Sequence, residues 1–387
     1  MGGFIKISTR RNLFYLSQVV LHYYCRKTVS ISINHLYKFN DSLIFTVLML
    51  LGEFFGGISI YLYQIYFFQP KKNISAKYFG INLIKEQKKM NRPDSDLKII
   101  LLIFFASFFD FMEFVIGSFF LPKYHGLSKT TTLRFGGIII IISSLLCHFN
   151  LRMKILKHHF YSLVVIVICS TIIFIFEIIF NSQMGIMNSF FAYFLVLLYI
   201  IFISFTDVVE KYLLEYDFMN PFITLILEST FGLILVSIYS FGEDPLKDVK
   251  RLYKECDTGN FILLIFLLFL YLAFSAGYNV YKLLSNVLYS PMARTLAGYI
   301  LNTFVLIYYF IYEDDFSPDG EKNYLYFFIN IILSIVISFF GCVFNEILVL
   351  SFCGLDYETY RIVSIRALDS DKSFDIDQTL LDDDDED

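Results

Sequence analysis

The sequence predicts an all-α protein that crosses a membrane many times. Two observations lead to this prediction: nine long apolar stretches and a composition that is poor in charge. A helix of about 20 apolar residues spans the hydrocarbon core because it satisfies its own backbone hydrogen bonds there. Hydrophobic residues make up 57% of the chain and charged residues 17%, with a mean hydropathy of +0.62. Soluble domains carry about 25% charged residues, so the composition excludes that class.

The nine stretches are too long and too uniformly apolar to be strands of a membrane barrel. We expect each of them to be a transmembrane helix. In chain order they lie at Leu43–Phe68, Ile99–Leu121, Thr131–Phe149, Tyr161–Phe180, Phe190–Val209, Phe222–Phe241, Phe261–Val280, Thr295–Tyr312 and Tyr324–Phe344.

A shorter apolar stretch, Asn12–Cys25, precedes these nine. It is too short to span the core comfortably, so it is either a degenerate tenth helix or a stretch that lies on the membrane surface. Both alternatives remain open from the sequence. We divide the chain into an N-terminal segment (1–42), a membrane domain (43–350) and an acidic tail (351–387).

The charges in the loops predict the orientation, because loops rich in Lys and Arg stay in the cytosol. Loop 69–98 carries eight of these residues, and the other loops on its side carry more than those on the opposite side. We therefore expect loop 69–98 and the C-terminal tail in the cytosol. If Asn12–Cys25 crosses the membrane, Lys6, Arg10 and Arg11 also move to the cytosolic side.

The glycosylation sequon Asn73-Ile74-Ser75 tests this orientation. A sequon in a cytosolic loop cannot meet the lumenal glycosylation machinery, so we expect Asn73 to stay unmodified in a secretory-pathway membrane. Endoglycosidase treatment should leave the electrophoretic mobility unchanged, with Asn73→Gln as the reference. A glycan on Asn73 would reverse the orientation.

Several polar side chains fall inside the apolar stretches, where a charge costs about 2.5–3.5 kcal/mol on insertion scales. Such residues indicate function by default. We expect them to line an interior cavity and bind substrate, and the open alternative is that they form buried ion pairs that fix the packing. The candidates are Glu53, Asp110, Glu113, Arg134, Glu228, Arg294 and Asn302. Asp110 and Glu113 are three residues apart, so they share one helical face.

Other polar groups are expected to be structural. Glu177 is near enough to a helix end for its carboxylate to reach the interface. The group Asp207, Glu210 and Lys211 is expected at an interfacial helix end, and His158 and His159 are expected in a solvated basic turn.

No pattern typical of a metal centre or a catalytic site is visible. The six cysteines are scattered without a CxxC pair, and the six histidines do not recur at ligand spacing. We therefore expect no enzymatic activity, no metal and no cofactor. Nothing in the chain indicates a nucleic-acid partner.

Two pairs of segments indicate an internal repeat. LMLLGEFFGGISIY (48–61) is similar to ILESTFGLILVSIY (226–239), and TLRFGGI (132–138) is similar to ARTLAGYI (293–300). Each pair is offset by five helices, and an odd offset inverts the second copy in the membrane. We expect two inverted five-helix repeats, about 12–180 and 190–350, an arrangement typical of transporters.

The motifs together resemble the drug/metabolite transporter superfamily, and in particular its nucleotide-sugar-transporter-like, solute-carrier branch with the EamA-like fold. The residues that carry the resemblance are GEF (52–54), FD (109–110), LRxGxI (133–138), EKY (210–212), Asn220-Pro221, Glu228, Phe231-Gly232, Asn279 with Arg294, and FN (344–345). The resemblance covers about residues 43–346. It implies ten helices around a central substrate path, cytosolic termini, and Asn279 as a further substrate-binding candidate.

We expect a secondary transporter that moves a small polar or anionic metabolite by alternating access. The resemblance implies a nucleotide sugar as cargo. The alternative is a non-transporting membrane scaffold or assembly partner that retains the fold, and a homodimer is a further open expectation.

The tail carries two short motifs of the kind that coat adaptors bind. Asp377–Leu381 has the form DxxLL and Tyr360–Val363 the form YxxΦ. They favour an endomembrane location, in the Golgi, endosomes or a lysosome or vacuole. The alternative is an acidic tail that serves only for solvation.

Overall fold

The computed structural model describes residues 5–7, 10–39, 42–68, 96–121, 131–180, 186–217, 219–241, 250–251, 258–288, 291–312 and 323–350. Loop 69–95 with its sequon and tail 351–387 with its sorting motifs lie outside these residues. The architecture is all-helical, as the apolar stretches predict.

Ten helices of more than one turn occur in the described residues. They are α1 (Arg10–Tyr37), α2 (Ser42–Tyr63), α3 (Asp96–Val115), α4 (Gly136–Asn150), α5 (Lys157–Phe180), α6 (Ile186–Glu215), α7 (Pro221–Tyr239), α8 (Thr258–Leu288), α9 (Pro291–Tyr312) and α10 (Tyr324–Phe344). Single turns of π-helix, Gln64–Phe68 and Ile116–Phe120, extend α2 and α3, and a one-turn helix, Thr131–Arg134, precedes α4.

Seven of these helices are long and apolar enough to cross a membrane: α2, α3, α5, α6, α7, α8 and α10. They coincide with seven of the nine predicted stretches. The other two, Thr131–Phe149 and Thr295–Tyr312, correspond to shorter apolar helices, Gly136–Asn150 and Thr295–Ile311. Phe135 separates α4 from the preceding turn, because its ψ of 5° departs from helical geometry. The protein is therefore an integral, multi-pass membrane protein.

Helix α1 is longer than the stretch Asn12–Cys25 indicated. It runs for 28 residues, although its mean hydropathy is too low for it to count among the seven apolar helices. The second half of α1 is not recognisable from its hydropathy, because Arg26, Lys27 and several hydroxyl residues break the run of apolar residues. It nevertheless packs against α8 and α9. At the contact with α8, a Cβ on Gly277 would overlap the His22 ring, so only glycine permits this approach.

The remaining packing is organised in a few helix pairs. Helix α8 also contacts α2, and α3 contacts α6 and α7. Helix α4 lies against α6, α5 and α9, while α2 pairs with α7 and α5 with α10. The largest apolar cluster joins α4, α5, α6, α9 and α10, and Ile140, Ile166 and Ile337 are completely buried in it.

A short antiparallel pairing joins the two ends of the described chain. Strand β1 (Ile5–Ile7) pairs with β2 (Leu348–Leu350), with Ile5 opposite Leu350. The first strand directly precedes α1 and the second directly follows α10. The start of α1 and the end of α10 therefore lie at the same end of the bundle.

Candidate functional site

A polar cluster lies between the helices around α8. At one contact, Asn279 on α8 faces Glu53 on α2, and the Asn279 amide donates to Glu53 Oε2 at 3.4 Å. Both side chains are buried. Gly52 permits this contact, since a Cβ there would lie 2.6 Å from the Leu272 carbonyl oxygen of α8. Two predicted site residues are thus brought together by close helix packing.

Glu228 on α7 is buried in the same region. Its side chain interacts electrostatically with Glu210, Glu53, Lys282 and Asp110. Ser107 on α3 donates to the Glu228 backbone carbonyl at 3.0 Å. The carboxylate oxygen Oε1 of Glu228 is buried and has no hydrogen-bond partner within the described residues. An unpartnered buried polar atom costs about 1–3 kcal/mol, so this acid is available to accept a donor from a ligand.

A second network closes the end of the bundle where α6 ends and α9 begins. Lys282 Nζ on α8 lies 3.1 Å from Glu210 Oε1 on α6. The Asn286 amide donates to Glu210 Oε2 at 2.8 Å, and Lys211 Nζ donates to the Asn286 carbonyl at 2.8 Å. Thr295 on α9 donates to Asp207 at 3.2 Å. The network ties α6, α8 and α9 together.

This network corrects one expectation. Asp207, Glu210 and Lys211 do not form an interfacial helix end, because each is at most 1% exposed. The chain around Glu210 continues as helix to Glu215, so the charged segment stays packed against α8. Lys282 and Asn286 of α8 and Thr295 of α9 bind these buried side chains and offset the free-energy cost of removing their charges from water.

The acids Asp110 and Glu113 on α3 are half-buried rather than enclosed. Tyr199 on α6 is within hydrogen-bonding reach of Glu113. Glu113 also interacts electrostatically with Tyr23 on α1. The pair therefore faces the space between α1, α3 and α6, and Asp110 also interacts with Glu228.

On the opposite side of this space, Asn302 on α9 accepts a hydrogen bond from the Tyr23 hydroxyl at 3.0 Å. One turn before it, a Cβ on Gly298 would meet no heavy atom within 4 Å. This opening lies on the same face of α9 as Asn302, since four residues separate them. Arg294 lies in α9, four residues before Gly298, but its side chain falls outside the described part of the structure.

Arg134 lies apart from this cluster, in a buried ion pair with Glu177 of α5. The Tyr326 hydroxyl of α10 bonds both side chains, and Thr131 donates to Glu177 Oε1 at 2.8 Å. Both charged side chains are fully buried. Glu177 therefore does not reach the interface, contrary to the expectation from its position near a helix end. The arrangement corresponds to the alternative of a buried ion pair that fixes packing.

Another expectation needs correction at the opposite end of α5. His158 and His159 are buried, not solvated. Glu346, which follows α10, approaches His158 with Oε1 3.2 Å from Nε2. Ligand atoms of these three residues lie within 4.8 Å of one another, a separation that could hold a metal ion. The sequence did not predict this group, because Glu346 is about 190 residues from the two histidines along the chain. The N-terminus of α5 carries a partial positive charge that disfavours a cation there and favours the Glu346 carboxylate.

Three central residues were missed by sequence reasoning: Arg26, Lys282 and Tyr278. A signal for Lys282 exists, because polar residues recur along α8 at helical spacing, at Ser275, Asn279, Lys282 and Asn286. All four are buried. Arg26 could have been found by its position one turn after Tyr23 in the same helix.

Comparison with known proteins adds no relative. No protein-family model matches the chain, and no curated protein matches it.

Proposed function

We propose that the protein is a secondary transporter that moves a small polar metabolite across a membrane by alternating access. The observation that carries this proposal is the buried polar cluster contributed by α1, α2, α3, α6, α7, α8 and α9. Its Glu228 oxygen has no described partner, and a space opens beside Gly298. Ionisable groups inside a membrane bundle mark ion or substrate pathways. A non-transporting scaffold would need neither a buried acid without a partner nor an interior space beside it.

The pattern of helix contacts supports two inverted five-helix repeats. If α1–α5 correspond to α6–α10, the contact of α1 with α8 corresponds to that of α6 with α3, and α2–α8 corresponds to α7–α3. Likewise α4–α6 corresponds to α9–α1, and α4–α5 to α9–α10. All of these pairs occur. The pairs α2–α7, α4–α9 and α5–α10 would then lie on the pseudo-two-fold axis.

The contact between α2 and α7 supports the same repeat at the level of residues. A Cβ on Gly57 of α2 would lie 2.9 Å from Ile226 Cγ1 of α7. Reciprocally, a Cβ on Gly232 of α7 would lie 2.9 Å from Leu50 Cδ2 of α2. The alignment that sets Phe55-Gly56 on Phe231-Gly232 also sets Leu50 on Ile226, and Gly57 is then one residue from the equivalent of Gly232. The two contacts are therefore reciprocal to within one residue, as a nearby two-fold axis would make them.

The pairing of β1 with β2 supports a crossing by α1. Because both strands lie at the same end of the bundle, the chain crosses the membrane an even number of times between them. Ten helices meet this requirement and nine do not. In such a crossing, His22 and Arg26 face α8 and the Tyr23 hydroxyl bonds α9 instead of facing lipid, which accounts for part of the low hydropathy of α1.

The charged network of α6 and α8 fits a gate in such a cycle. Glu210 and Lys282 join these helices at one end of the bundle, while the space near Gly298 and Asn302 lies deeper along α9. Rocking of the repeats would break this pair and open that end. Ion pairs of this kind have two discrete arrangements, which alternating access needs.

The cargo is proposed from chemistry and from the resemblance together. Acidic, basic and amide groups all reach the cluster, so a polar molecule with both donors and acceptors suits it. A nucleotide-linked metabolite is the class that the resemblance favours, and an endomembrane is the location that the tail motifs favour.

Transport can be tested with the purified protein in proteoliposomes and a panel of radiolabelled polar metabolites. We expect saturable uptake or exchange of at least one compound. Glu228→Gln should reduce its rate about tenfold or more with little change in melting temperature, because Lys282, the cation near Glu228, keeps its ion pair with Glu210. Ser237→Ala, an exposed substitution on the same helix, is the control. Absence of uptake for the whole panel would favour the scaffold alternative.

A further inference from the structure

Arg26 of α1 lies beside the polar cluster, against Tyr278 of α8. It is 9% exposed, and its buried Nη1 atom has no hydrogen-bond partner among the described residues. Within those residues it also makes no ion pair with an acid, and two aromatic rings lie against it. A buried guanidinium without an acid is costly, because desolvation of the charge is uncompensated. Retaining it indicates that a ligand supplies the missing anion.

Two tyrosines hold the guanidinium in place. Its Cζ atom lies 4.4 Å from the centre of the Tyr278 ring on α8 and 5.4 Å from that of Tyr23 on α1. The two rings are 5.5 Å apart and tilted. Aromatic contact stabilises the cation without using its N–H donors, so the donor edge remains available for a carboxylate or a phosphate.

The groups around Arg26 are positioned by bonds that do not involve it. Tyr23 donates its hydroxyl to Asn302, and Tyr199 lies within hydrogen-bonding reach of Glu113. Arg26 and Glu113 both interact electrostatically with Tyr23. The positive group and the acid thus both lie near Tyr23, without an ion pair between them in the described residues.

We infer that Arg26, held by Tyr23 and Tyr278, binds the anionic group of a small organic carboxylate or phosphate ester. The inference rests on the proposed transport function and names the residue that recognises the cargo. Glu113 faces the other end of the ligand and favours hydrogen-bond donors there. A molecule that is anionic at one end and rich in hydroxyl or amino groups at the other fits both.

The other arginine predicted for this role, Arg134, is unsuited to it. Its guanidinium is occupied by Glu177 of α5 and Tyr326 of α10 in a fully buried contact of the one-turn helix that precedes α4. Cargo binding there would first have to break that ion pair. At Arg26, the cargo would not have to displace an acid of the described residues.

The anion is expected to come from solution and not from a lipid headgroup. Lys27, the next residue, lines an outer groove of about 1220 Å³ between α1 and α9. Arg26 does not line that groove and instead faces Tyr278 of α8. Lys27 Nζ lies 5.9 Å from the centre of the Tyr23 ring, so Lys27 is the cation that lies between this groove and the Tyr23 side of the cluster.

Binding can be measured on the purified protein in detergent, without turnover. Thermal unfolding is followed with increasing succinate, inorganic phosphate or choline. We expect succinate or phosphate to raise the melting temperature and choline to have no effect, because a ligand that binds only the folded state stabilises it. Arg26→Gln should weaken the apparent affinity about tenfold or more, and Arg26→Lys should weaken it less. Arg251→Gln, at an exposed arginine, is the control and should match the wild type.

The outcomes separate this inference from the transport proposal. If the wild type binds the anion through Arg26 but transports nothing, the site exists and the transport proposal fails. The inference is overturned if neither anion stabilises the wild type, or if Arg26→Gln and Arg26→Lys respond like the wild type. It is also overturned if short-chain phosphatidylglycerol stabilises the protein through Arg26 while the soluble anions do not. Arg26→Lys keeps the charge and guards against a folding defect in Arg26→Gln.

Discussion

Arg134→Ala is expected to destabilise the folded protein by about 3–5 kcal/mol, because it leaves the buried Glu177 carboxylate without its counter-charge. Glu177 of α5 is fully buried against the one-turn helix Thr131–Arg134 and Tyr326 of α10, so water cannot replace the arginine. The expected result is a large fall in melting temperature and in the yield of folded protein. Thermal unfolding in detergent measures it.

A double substitution separates the ion pair from general packing. Replacing both partners, in Arg134→Leu with Glu177→Leu, removes the stranded charge and should recover most of the lost stability. Arg134→Lys keeps a charge but offers a smaller, non-planar donor, so an intermediate loss is expected. Normal stability for Arg134→Ala, with a defect confined to transport, would contradict the structural role and restore Arg134 as a cargo ligand.

Lys282→Met is expected to have the second large effect. Lys282 is paired with Glu210 and interacts with Glu228, so its loss leaves buried acids without their cation. We expect about 3–5 kcal/mol of destabilisation. If the Lys282–Glu210 pair is the gate, Lys282→Met should also abolish transport.

Two further variants interpret this result. Glu210→Gln combined with Lys282→Met should regain stability but not transport, because a neutral pair can pack yet cannot alternate between ionic partners. Lys250→Met, the same substitution at an exposed lysine, is the control. An exposed ion pair contributes about 0–1 kcal/mol, so little change in stability is expected for this variant. Equal losses for Lys282→Met and Lys250→Met would refute the role of the buried pair.

The hydropathy of the chain was a reliable guide to seven helices, because one helix crossing a membrane must be apolar along most of its length. It failed for α1. That helix packs against α8 and α9, and this contact shields polar residues such as His22 and Arg26. Hydropathy describes the helix as a separate cylinder and cannot show such shielding.

The predicted site residues divide according to their partners. Glu53 and Asn279 meet each other, Glu228 and Asp110 interact, and Asn302 meets Tyr23, all within one cluster. Arg134 was predicted as a site residue on the same grounds, but it lies outside this cluster, in the ion pair with Glu177. Its partner Glu177 is on another helix, and no spacing rule links residues on two helices.

What the sequence determined by itself is the class of protein, since the number of apolar residues and the loop charges depend only on composition along the chain. Which charged residues are paired and which are available to a ligand was decided by tertiary structure. Arg26 and Arg134 are both arginines in helices of a membrane bundle. Arg134 is neutralised by Glu177, whereas Arg26 lies against two tyrosine rings and has no ion pair among the described residues, because helix packing, and not local sequence, sets which side chains come within a few ångströms of each other.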